Sequence, residues 1–169
     1  RCVLPQAGQA GWVDGDNAIA KHLAAPEVAS GLKAALATDL LGAYVLLKDK
    51  KLDPAMGKDP ADTRPRMAEG WRSGRSLRAM QLNLEATGAI LRILAAGMPK
   101  QDSSALRNND TALRVAKRLT GDLGELAAGP QRRDLILLRD AADAAGKRAF
   151  EEVPFVLGVT VGFNSLDGD

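Results

Sequence analysis

Residues 76–96 read SLRAMQLNLEATGAILRILAA. Leu77, Met80, Leu84, Leu91 and Leu94 recur at spacings of three, four, seven and three, which places them on one face of an α-helix. Ile90 and Ile93 are expected to widen that stripe. Gly97 stands where helices commonly end, and Pro99 cannot continue one. A helix with one apolar face must bury it against other elements, so the fold follows from what the rest of the chain offers as partners.

Three further stretches carry the same periodicity. The first is expected over residues 26–50. Pro26 suits the first helical position, Glu27 the positive helix end, and Lys48 and Lys50 the negative end. Its apolar stripe reads Val28, Leu32, Leu36, Ala43 and Leu47. The next is expected over 109–127, capped by Asn109 or Asp110, with Leu113, Ala116, Leu119, Leu123 and Leu126 inward. The last is expected over 130–152, with Pro130 at its start and an end before Pro154. Leu135, Leu138, Ala142, Ala145 and Ala149 face inward there, and their small size would let a neighbour approach closely.

Between the first two helices, KLDPAMGKDPADTRPRMAEGWRSG (51–74) carries two Asp-Pro pairs and reads as a long Pro-rich loop. Residues 1–25 are a loop-rich lead-in, with one short turn near Asp16 and Asn17. The ending GVTVGFNSLDGD (158–169) alternates like an extended, docked tail. The aromatic share is only 4% of 169 residues, so Leu, Ile, Val and Ala must build the core, which favours helix packing. The expected fold is all-α: one domain over 1–169, a bundle of about four long helices.

Composition excludes several functions. A formal net charge of +2 and the absence of a basic run interleaved with aromatics argue against nucleic acid. No uninterrupted apolar stretch is long enough to span a bilayer, and LLGAYVLL (40–47) reads as a buried helix face. The sequence starts at Arg1 rather than Met, so processing or cutting is expected. The lone Cys2 is either free or bonded to a segment outside this sequence.

The search for chemistry is mostly negative. The single histidine, His22, lies five residues before Glu27 with Pro26 between them, so the two do not share a helix face. No second His or Cys completes a zinc set. No serine sits in a nucleophile elbow, and GWRSGRS lacks the Lys-Ser/Thr ending of a phosphate loop. NSLDGD fails the calcium-loop spacing. Asp39, inside ALATDLLGAYVLL, is either on an exposed face or aimed at a polar site between helices.

The charge layout is more informative. Residues 48–78 hold nine Lys or Arg and five acids, whereas 151–169 hold four acids and no base. Arg72, Arg75 and Arg78 recur every three residues, and guanidinium forks suit carboxylates. The basic segment and the acidic end either meet or remain two solvated patches.

GWRSGRSLRAMQLNLEA (70–86) and the terminal LGVTVGFNSLDGD (157–169) together resemble the imelysin-like family, in particular its predicted periplasmic lipoproteins, which end in a Gly-Phe-Asn-x-x-Asp-Gly-Asp type sequence. The resemblance covers roughly 70–169. It implies an all-helical protein of two bundle-like halves with a site at their interface, linked to iron uptake, some members being classed as metallopeptidases. The family's Gly-x-His-x-x-Glu signature is missing from this sequence, so no metal or catalytic role passes to His22. The chain is expected to be the C-terminal half. Trp71, Arg72, Ser73, Gly74, Arg75, Ser76 and Arg78, with Phe163, Asn164, Asp167 and Asp169, would form its wall of the interface site.

The function this implies is non-catalytic binding of a metal or an anionic ligand in iron or metal acquisition, in partnership with an N-terminal half. The site is expected in the periplasm, with contact to a membrane only through a lipid anchor outside this chain. This chain alone supplies no cofactor site, and a divalent zinc or iron would be held with the missing half. The alternatives are an imelysin-type metallopeptidase whose ligands lie in that half, and a module that binds a polysaccharide or another acidic ligand.

Overall fold

A computed structural model describes residues 25–98 and 102–160, and among them the secondary structure is helical with no strand. Helix α1 (Pro26–Val45) runs into a π-helical segment, Leu46–Leu52, and then into the short α2 (Asp53–Met56). Three 3-10 turns follow: Pro60–Asp62, Pro65–Met67 and Trp71–Ser73. Then come α3 (Ser76–Ala95), α4 (Ser104–Arg118), α5 (Leu123–Ala128) and α6 (Arg132–Leu157).

Helix α6 is the centre. It packs along α4 and against α1, and α4 in turn packs on α3. Its inward residues are Leu135, Leu138, Ala142, Ala145, Ala149 and Val153, all fully buried. The expected inward set is therefore borne out, and the small residues do bring a neighbour close. A Cβ on Gly146 would lie 2.9 Å from Cβ of Tyr44 in α1. In α3 the expected seam of Leu77, Met80, Leu84, Leu91 and Leu94 is buried. Ile93 is 75% exposed, and Thr87 and Gly88 face inward instead.

Several boundaries differ from the sequence reading, each for a local reason. In α1 the buried face is Ala37, Leu40, Leu41 and Tyr44. Of the expected stripe Leu47 is buried, whereas Leu32 is 49% exposed and Val28, Leu36 and Ala43 are only partly buried; Ala37 and Tyr44, neither strongly apolar, take the inward places. The helix does not stop at Asp53–Pro54. Pro54 lacks an N–H and would crowd the carbonyl four residues back. The preceding turns widen to the π form, in which the Asp53 N–H bonds to the Lys48 carbonyl, and the chain stays helical to Met56.

The third helix begins at Ser104, earlier than expected, because Ser103 is the cap: its Oγ accepts from the Leu106 N–H at 3.0 Å. It also breaks. Gly121 takes φ +109°, and Asp122 caps a new helix, α5, through the Gly124 N–H at 2.8 Å. In α6, Pro154 lies inside the helix, which ends one turn later at Gly158 with φ +65°. The Val159 N–H reaches back to the Pro154 carbonyl at 3.1 Å, as left-handed C-terminal glycines commonly allow.

The 51–74 segment is ordered by polar ties. Arg132, at the start of α6, donates to the carbonyls of Met56 (2.7 Å), Gly57 (2.9 Å) and Ala127 (3.0 Å). One guanidinium thus gathers the C-terminal ends of α2 and α5. Helix and π segment together, Pro26–Met56, are long and apolar enough to cross a membrane by length and composition alone, with a mean hydropathy of 1.3 in the most apolar window. The apolar run is not uninterrupted, since Lys33 and Asp39 lie within it. Here Leu40, Leu41, Tyr44 and Leu47 of that segment belong to the core.

Candidate functional site

The corner formed by Gly70–Arg78 collects the described residues that the family resemblance singled out. Gly70 (φ +71°) and Gly74 (φ +63°) bracket the Trp71–Ser73 turn. Both adopt the left-handed region that side chains disfavour, so the chain can reverse twice within five residues. The turn pushes Trp71 outward, 37% exposed. The guanidinium of Arg72 lies 5.0 Å from the Trp71 ring centroid and that of Arg66 lies 5.6 Å from it, both within cation–π range.

The serines serve the turn itself. Ser73 Oγ donates to the Gly70 carbonyl at 2.9 Å. Ser76, only 4% exposed, donates its hydroxyl to the Glu69 carbonyl. Lys51 of the π segment holds the corner from the other side through an ion pair with Glu69 at 2.8 Å. Arg75 occupies the N-cap position of α3 with no side-chain cap, and Arg78 is exposed in its first turn. Among the described residues neither Arg75 nor Arg78 forms an ion pair. The corner therefore presents Arg66 and Arg72 over one indole, with Arg75 and Arg78 nearby in the chain at the start of α3, and two glycines and two serines shape its turn.

Asn164, Asp167 and Asp169, with Phe163, lie outside the described residues, as do His22 and Cys2. The acidic end is nevertheless partly accounted for. Glu151 pairs with Arg148 at 2.8 Å. Glu152 accepts from Ser103 Oγ at 2.6 Å and from the Ser104 N–H at 3.0 Å. These two carboxylates serve α6 and the start of α4, not the basic segment. Asp39 is exposed, on the rim of a groove of about 490 Å³ between α1 and α3 with Leu36, Leu46, Asn83 and Ile90. No cluster of three or more metal-ligating side chains occurs among the described residues.

One polar centre escaped the sequence reading. Asn109 is fully buried. Its Oδ1 accepts from Tyr44 Oη at 2.8 Å and from Thr87 Oγ1 at 2.9 Å, and its Nδ2 donates to the Leu84 carbonyl at 3.0 Å. Burial pushes the Tyr44 hydroxyl up to about 12, with a further push from the Asp110 charge. This centre joins α1, α3 and α4. The signal was present: Ala105, Asn109, Ala112 and Ala116 share one helical stripe, which marks Asn109 as inward and not as a cap.

The chain matches no family model, no curated protein and no solved structure.

Proposed function

We propose that this chain is a non-catalytic helical module of the imelysin-like kind, exported to the periplasm for iron or metal acquisition, whose Gly70–Arg78 corner binds an anionic ligand beside an N-terminal half. The observation that carries this is the pair Arg66 and Arg72 over Trp71, followed in the chain by Arg75 and Arg78 at the start of α3. Two of the guanidinium groups lie over the indole, and Arg75 and Arg78 form no direct ion pair among the described residues. Guanidinium forks bind carboxylate or phosphate oxygens in pairs, and stacking on an aromatic ring pre-orients them. The left-handed glycines fix the turn, which lowers the ordering cost on binding.

The probe is ferric citrate, an anionic iron chelate, titrated calorimetrically into the protein alongside iron-free citrate and heparin. Arg75→Ala should weaken ferric citrate binding about tenfold, the loss of one charge-assisted hydrogen bond, with helix content by circular dichroism unchanged. Equal affinity of wild type and variant would sink the assignment of the corner. Heparin binding in clear preference to ferric citrate would favour the acidic-polysaccharide module instead.

A further inference from the structure

Away from the arginine corner, a cleft opens where α1 and the π segment cross α6. It has a volume of about 210 Å³, larger than the ~150 Å³ cavity known to accept a benzene ring. Its floor is apolar: Leu41, Tyr44 and Phe150, with Gly146 opening the wall. Gly146 is obligatory there, since a Cβ would collide with Tyr44, so the close helix contact and the cleft arise together.

The rim is charged and alternates in sign. Lys48 Nζ stands 3.1 Å from Asp49 Oδ1 and 3.7 Å from Asp143 Oδ1. Lys147 Nζ stands 2.8 Å from Asp143 Oδ2. The hydrogen bond from Lys48 to Asp49 holds the ammonium above its ordinary range, and the one from Lys147 holds the Asp143 carboxyl below its own. Lys48 and Asp143 are therefore charged near neutrality, and the rim is made of two lysines and two aspartates. Each keeps spare capacity: an ammonium has three donors and a carboxylate about four acceptor sites.

The backbone gives a second, independent pointer. Lys48 and Asp49 belong to the π segment. Neighbours on an α-helix do not face the same way. The wider π turn brings consecutive side chains closer in angle, and both line this cleft. π turns recur at functional sites.

We propose that this cleft binds a small zwitterion with an apolar side chain, that is, a free hydrophobic amino acid. The side chain lies on Leu41, Tyr44 and Phe150. The carboxylate takes the free donors of Lys147, and the ammonium takes the free acceptor sites of Asp49. A purely cationic or purely anionic ligand would leave half of this rim facing a like charge.

The test uses three probes on the full chain, by calorimetry: L-phenylalanine, L-phenylalaninamide (no carboxylate) and N-acetyl-L-phenylalanine (no ammonium). Saturable binding of L-phenylalanine is expected, with each blocked form about tenfold weaker or worse. Lys147→Gln, at an exposed position where folding is not at stake, should weaken L-phenylalanine about tenfold and leave the amide unchanged. Asp49→Asn should weaken L-phenylalanine and leave the N-acetyl form unchanged. Absence of saturable L-phenylalanine binding overturns the proposal, as does equal affinity for the three compounds. So does insensitivity to both substitutions.

Discussion

Glu152 on α6 caps a helix to which it does not belong: its Oε2 lies 2.6 Å from Ser103 Oγ and its Oε1 lies 3.0 Å from the Ser104 N–H at the start of α4. Ser103 completes the pair by accepting from the Leu106 N–H at 3.0 Å. A carboxylate at this helix end meets both the orphan N–H groups and the positive end of the dipole. The same contact fixes the two most extensively packed helices in register.

Glu152→Ala should therefore lower stability by about 1–3 kcal/mol, read from urea denaturation. Glu152→Gln should cost less, because its amide oxygen still accepts. The amides of Ser104 and Ala105 should lose hydrogen-exchange protection before the rest of α4. A loss within about 0.5 kcal/mol, the range of ordinary surface changes, would show that the cap is dispensable.

The Tyr44 hydroxyl gives a pH prediction with a fixed sign. Burial pushes it up to about 12 in the folded protein, above its ordinary value of 10.0, so the folded state holds this proton more tightly than the unfolded chain. The contribution is complete below about pH 10 and is lost as pH rises towards 12. Tyr44 is the only tyrosine, so tyrosinate absorbance reads this group alone. A midpoint near 10 in the folded protein would contradict its burial. Tyr44→Phe should cost about 1 kcal/mol, since Asn109 Oδ1 keeps Thr87, and should reduce the alkaline dependence to the share of other groups such as Lys48.

The helices that packing alone decides were the legible ones. The inward residues of α3 and α6 follow from spacing because each face is a run of Leu, Met or Ala against another helix. The failures arise where a polar group or proline changes the local rule. Pro54 and Pro154 lie within continuous helix, the first with the help of the π turns. Asn109 looks like a cap in one dimension, but Tyr44 and Thr87 make it a core residue. For the arginine corner, the sequence groups Arg72, Arg75 and Arg78 by their three-residue spacing. It gave no hint of Arg66, whose place over Trp71 depends on two 3-10 turns. The cleft on α6 was equally hidden, because Lys48 and Asp143 are distant in the chain.

Arg132 offers a different kind of test, since its role is to tie elements together. Removing its side chain leaves the carbonyls of Met56, Gly57 and Ala127 without their shared donor. Arg132→Ala should destabilise by about 1.5–3 kcal/mol. Lys at this position should restore only part, because a single ammonium cannot reproduce the planar fork. Limited proteolysis should show cleavage in the 57–70 segment earlier than in wild type. Unchanged proteolysis with unchanged stability would mean that the loop is held by its own turns, such as the Asp59 cap on Ala61 at 2.8 Å.

Two glycines in the paired helices α1 and α6 should respond in opposite directions to the same change. At Gly146 an added Cβ would lie 2.9 Å from Tyr44 Cβ, so α1 must shift away or Tyr44 must leave Asn109. Overpacking of this kind costs about 1–3 kcal/mol and outweighs the helix-propensity gain of up to ~1 kcal/mol. At Gly42 nothing lies within 4 Å of the added atom, so only the propensity term remains. Gly146→Ala should lower the urea midpoint and Gly42→Ala should raise it by about 0.5–1 kcal/mol in stability. Stabilisation by both would mean that α1 and α6 are not in close contact at Tyr44, and the cleft floor would go with that contact.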